Sequence, residues 1–122
     1  MMTVPTDCDQ RDERLGWMGD ADLSVDSMLL NYGAADFFSS YAHSINDELG
    51  SDGSLPDTVP FVRYGNRPAD VSWSAALPQI AWALYKYNGD LSVAKRCQLM
   101  IRWHRCADSC VWQALVSNCA AV

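Results

Sequence analysis

Apolar residues recur at helical spacing in several separate stretches of the chain. From Ala21 to Asn31, Leu23, Val25, Met28 and Leu29 fall at mostly helical spacing, and Asp20 stands where an N-cap would. The spacing predicts a helix over about Asp20 to Tyr32. Gly33 then breaks the pattern, and Ala34, Phe37, Phe38, Tyr41, Ala42 and Ile45 make a second apolar stripe that ends near Gly50. Two helices joined by so tight a turn are expected to form an antiparallel hairpin over residues 20–50. Residues 51–72 begin SDGSLPDTVPFVRYGNRPAD, whose three prolines and two glycines disfavour any long regular element. Loops of that length inside a compact domain are uncommon unless they shape a site.

Helical spacing returns from Trp73 to Tyr87 through Ala76, Ile80, Ala83 and Leu84, with Pro78 acceptable only in a first turn. Asn88, Gly89 and Asp90 close that segment. A further stretch from Leu91 to about Val116 repeats Val93, Cys97, Met100, Ile101, Trp103, Val111 and Leu115, and its early part reads as helix. Residues 73–116 are thus expected to be a second helical pair. Strand signals are nearly absent, so the class is all-α: about four helices in antiparallel hairpins, with long charged loops at one end.

Composition narrows the possibilities. The 122 residues suffice for one domain or part of one, and 49% hydrophobic with 20% charged residues is a globular balance. A net charge of −6 weighs against phosphate backbones and anionic lipid, so nucleic acid is not an expected partner. No apolar run reaches the roughly 18 to 20 residues of a membrane span, and no basic stretch precedes an apolar one near the start. The compartment is left open. The five cysteines, Cys8, Cys97, Cys106, Cys110 and Cys119, are an odd number and cannot close a full disulfide framework. Cys106 and Cys110 with His104 could line one helical face as metal ligands, but thiols spread through one apolar segment read as buried side chains. Neither a metal nor a cofactor is expected.

The segment Thr6 to Asp22, TDCDQRDERLGWMGDAD, carries six carboxylates and two arginines in seventeen residues. Such density before a helix usually means capping and solvation. A second possibility is glycosidic bond cleavage, which needs one carboxyl protonated for the leaving oxygen and another ionised to activate water or attack carbon. Interleaved arginines would keep some of these acids ionised, while an adjacent indole and negative charge could hold another protonated. Asp7, Glu13 and Asp20 are spaced along this run, and Trp17 supplies a flat face suited to a sugar's C–H groups.

The order of these residues is more informative than their composition. DCDQRDERLGWMGDADL resembles the signature of bacterial-type α-L-rhamnosidases, glycoside hydrolase family 78, which reads roughly D-C-P-Q-R-D-E-R-x-G-W-x-G-D-A. The likeness continues in register through Phe37 and Phe38, DGSLPDTVP from Asp52 to Pro60, WSAALPQIAWALYKYNGD from Trp73 to Asp90, and RWH ending at His104. Two departures stand out. Asp9 replaces the family's proline, adding charge beside Asp7, and Trp73-Ser74-Ala75-Ala76 replaces W-G-D-A, removing one acid.

The resemblance implies a chain that is a fragment, over residues 1–122, of an (α/α)6 barrel domain built from six helical hairpins. Residues 1–19 would be the signature loop. It implies Glu13 as the general acid, Asp7 and Asp20 as ligands of the sugar hydroxyls, Arg11 as a polar contact, and Trp17 and Trp73 as aromatic walls. Ordinary structural roles stand beside these: Asp20 as a cap, Arg11 as an ion-pair partner, Trp73 as core. The implied substrate is a rhamnose-containing glycoside or oligosaccharide, cleaved with inversion. The family's base glutamate has no counterpart, since after Asp90 the only acid is Asp108, so the rest of the catalytic domain would be needed to complete the site. The competing expectation is a non-catalytic module, derived from the same family, that binds rhamnose-type sugars or another protein.

Overall fold

The computed structural model describes residues 15–63 and 65–97. Helix α1 spans Met18–Tyr32, α2 Ala35–Asp47, α3 Val71–Ser74 and α4 Ala76–Asn88, and a 3-10 turn follows at Ala94–Arg96. Among the described residues there is no β-strand, and the only sheet-like pairing is an isolated bridge between Trp17 and Thr58. The fold is all-α, as the apolar spacing predicts.

Helix α4 is the centre of the packing. Ala76, Leu77, Pro78, Ile80, Ala81, Ala83 and Leu84 are all buried on it, and both α1 and α2 lie against it while touching each other little. From α2 come Phe38, Tyr41, Ala42 and Ile45, and from α1 come Met18, Ala21 and Val25. The stripe anticipated for α2 is the one that is buried, with Phe37 half-buried edge-on to Phe38 at 5.2 Å. Burial of each large apolar side chain at this junction contributes about 1.5–3 kcal/mol.

Helix α1 differs from its expected register. It begins at Met18 and not near Asp20, because the Met18 N–H donates to the Asp57 carbonyl at 3.0 Å and Trp17 takes extended backbone as the N-cap. Asp20 is therefore not the cap; it sits in the first turn, where a carboxylate is favoured by the exposed N–H groups of the helix end. The buried row runs through Met18, Ala21 and Val25, with Met28 and Leu29 packed partly against it. Leu23 lies off this row and is 88% exposed.

The single helix anticipated from Trp73 to Tyr87 is two. Pro78 has no N–H for the Ser74 carbonyl, and its ring would crowd that carbonyl in a continuous helix. The chain instead turns at Ala75 and restarts, which places Pro78 in the first turn of α4. Residues beyond Asp90 also depart from expectation, since up to Cys97 they make turns and one short 3-10 segment and no α-helix. The remainder of the stretch anticipated to Val116, including Cys106, Cys110 and His104, lies outside the described residues.

The loop from Glu48 to Asp70 is ordered by its own polar groups. Asp52 accepts from the N–H and hydroxyl of Ser54 at 3.0 and 2.7 Å, and Asp57 accepts from the Asn66 N–H at 2.8 Å. Arg67 donates to the carboxylate and carbonyl of Glu48 at 3.2 and 2.7 Å, tying the loop back to the end of α2. These bonds let Leu55 and Val59 reach the core although they belong to no helix.

Candidate functional site

Trp17 is held in place by the loop that follows α2. Val59 N–H donates to the Gly16 carbonyl at 2.8 Å, the Tyr41 hydroxyl donates to the same oxygen at 3.1 Å, and Trp17 pairs with Thr58. The two glycines that bracket Trp17 and Met18 have a steric reason. A Cβ on Gly16 would fall 2.0 Å from the Val59 carbonyl oxygen, and one on Gly19 would fall 1.8 Å from the Trp73 ring. Any side chain at either position would push the loop or the indole away.

Across Gly19, the rings of Trp17 and Trp73 are 5.8 Å apart and inclined at 45°. Both indoles are half-buried, so Trp73 is not simply core. A cavity of about 260 Å³ opens beside them, lined by Gly19, Asp20, Asp22, Leu23, Ser72 and Trp73. Trp17 and Asp20, neighbours at the start of α1, thus come together with the sequence-distant Trp73 at the junction of α1 and α3. Glu13, Asp7 and Arg11 lie outside the described residues.

Two polar groups of this wall were not singled out from the sequence. Burial, reinforced by the Asp26 carboxylate one helical turn on, pushes the Asp22 carboxyl up to about 6 from an ordinary 3.8. Asp70 caps α3: the Ser72 hydroxyl and N–H both donate to its Oδ1, which holds that carboxyl below its ordinary range. The i, i+4 spacing of Asp22 and Asp26 is visible in the sequence, but the burial that shifts Asp22 is not. Among the described residues no group of three or more His, Cys, Asp or Glu side chains is placed to hold a metal ion. No described helix is long and apolar enough to cross a membrane.

Helices packed around a central helix, beside a wall of two indoles and acidic side chains, define an all-α helical domain. The family model described as the bacterial alpha-L-rhamnosidase 6 hairpin glycosidase domain matches residues 1–110, and the chain belongs to that family. It is 38% identical over 90 residues to an alpha-L-rhamnosidase of Alteromonas sp. (strain LOR), covering 74% of this chain and 10% of that protein. It is likewise 37% identical over 93 residues to one from Streptomyces avermitilis, covering 75% and 9%. Among solved structures, the alpha-L-rhamnosidase from Dictyoglumus thermophilum superposes with a TM-score of 0.74 at 39% identity, over 84% of this chain and 12% of that one. The chain therefore spans about a tenth of the length of the curated relatives it matches.

Proposed function

We propose that this chain carries the acid half of an α-L-rhamnosidase site, hydrolysing terminal α-L-rhamnose from rhamnosides when joined to the rest of its catalytic domain. The observation that carries this reading is the contact of the signature residue Trp17 with Trp73, beside a cavity that Asp20 and Trp73 line. Glu13 protonates the departing glycosidic oxygen. Asp7, Arg11 and Asp20 hold sugar hydroxyls, and the two indoles support the C–H face of the ring.

Inversion requires a second carboxylate on the far side of the sugar, roughly 6.5–9.5 Å from the acid, with a water between them. That base comes from a segment outside these 122 residues. Activity thus depends on helical hairpins contributed by the remainder of the domain, which also select the aglycone. Hydrolysis of p-nitrophenyl α-L-rhamnoside by the full-length protein tests this directly. A Glu13→Gln substitution should lower kcat by at least about 10²-fold, and the sugar released should be the inverted anomer. Equal rates for parent and variant would remove Glu13 as the acid.

A further inference from the structure

Leu23 and Asp22 are neighbours with opposite chemistry on the rim of one cavity. Leu23 is 88% exposed, yet it lies beside the Trp73 indole and next to two acids. Nothing in the packing of α1 requires a leucine there, since the buried row passes through Met18, Ala21 and Val25. Asp22 is half-buried and forms no hydrogen bond or ion pair among the described residues. Ser72, on the opposite wall, gives its hydroxyl hydrogen to Asp70 and so keeps lone pairs for an incoming donor. The volume of about 260 Å³ lies just under the roughly 300–1,000 Å³ of drug-sized pockets, enough for one small ring.

A wall with acceptors on one part and an exposed aliphatic group on another suits a sugar that carries both hydroxyls and a methyl. We propose that Asp22 and Leu23 are specificity-determining residues that select a 6-deoxyhexose: Asp22, with Ser72, binds ring hydroxyls while Leu23 covers the C6 methyl. This rests on the rhamnoside reading above and adds to it the groups that tell L-rhamnose from L-mannose, which has the same ring configuration and a C6 hydroxyl. A C6 hydroxyl set against Leu23 would give up part of its hydration, and that side chain offers it no polar partner. Because Leu23 lies at an open rim, the expected discrimination is about tenfold, the low end for a hydrophobic contact. Losing the Asp22 hydrogen bond to a sugar hydroxyl would weaken both sugars alike.

The test titrates the full-length protein with L-rhamnose and with L-mannose, following tryptophan fluorescence and ligand-observed NMR. The parent should bind L-rhamnose about tenfold more tightly than L-mannose. Leu23→Ser should bring that ratio close to one. Its side chain is exposed, so the variant keeps the fold, which circular dichroism verifies. Asp22→Ala should weaken both sugars about tenfold while Asp22→Asn, which can still hydrogen-bond, restores most of the affinity. L-rhamnose binding that is indifferent to both substitutions would overturn these assignments and leave the rhamnoside reading standing. Absence of binding by either sugar to the parent would overturn both.

Discussion

Replacing Gly16 and Gly19 separately by alanine distinguishes a backbone constraint from a side-chain constraint on the same wall. At Gly16 the added methyl would sit 2.0 Å from the Val59 carbonyl oxygen and 2.9 Å from its carbon, so the loop backbone must retreat by roughly 1 Å. Overpacking of this kind costs about 1–3 kcal/mol. The retreat also stretches the 2.8 Å bond from Val59 N–H and disturbs the 3.1 Å bond from the Tyr41 hydroxyl, at about 0.5–1.5 kcal/mol each. Restricting the unfolded chain returns about 0.4–1 kcal/mol. The net expectation for Gly16→Ala is a loss of about 3 kcal/mol. At Gly19 the obstacle is the Trp73 ring, 1.8 Å away, which can rotate out of the way. Its cost is the aromatic contact with Trp17, about 0.5–1.5 kcal/mol, largely offset by alanine's better helix propensity. Urea unfolding should therefore show Gly16→Ala far less stable and Gly19→Ala near the parent. Near-ultraviolet circular dichroism should lose the coupled indole signal in Gly19→Ala. Equal stabilities for the two variants, or an unchanged indole signal in Gly19→Ala, would refute the close approach on which the wall depends.

Other outcomes follow from the core and from charge. Ile80→Ala, at a fully buried position of α4, should cost about 2–5 kcal/mol in the same urea assay, and a loss below about 1 kcal/mol would count against α4 as the packing centre. Asp22 is raised from 3.8 to about 6 in the folded state, so between those values the folded chain holds a proton that the unfolded chain has released. Stability should therefore fall as pH rises through that window, by about 1 kcal/mol once solvent screening of a half-exposed group is allowed for. Asp22→Asn should flatten that slope, read from urea midpoints between pH 4 and pH 7. Arg67→Ala should cost no more than about 1 kcal/mol, and less in high salt, because its partner Glu48 is itself partly exposed.

The sequence disclosed most where local chemistry decides the outcome. The stripe of α2 is buried as its spacing implies, and Pro78 lies in a first turn as its missing N–H demands. It disclosed less where a distant partner intervenes. Helix α1 starts at Met18 because residues 57–59 of the later loop capture the backbone of residues 16–18. No periodicity around Asp20 could reveal that. The break at Ala75 was within reach, since Pro78 forbids the bond to the Ser74 carbonyl, but helical spacing alone runs through it. For the site, Trp17, Asp20 and Trp73 were legible through residue order. Asp22 and Ser72 were not, because their relevance arises from a cavity between two helices and from burial, which composition does not encode.

The central claim is that a rhamnose ring rests against the wall made by Trp17, Asp20 and Trp73, immediately beyond the segment that bears Glu13. A crystal of the full-length protein soaked with L-rhamnose measures this most directly. The account predicts density for the ring over the two indoles, with a hydroxyl within hydrogen-bond reach of Asp20 and the anomeric oxygen turned toward Glu13. A ring bound elsewhere, with this cavity holding only water, would contradict it.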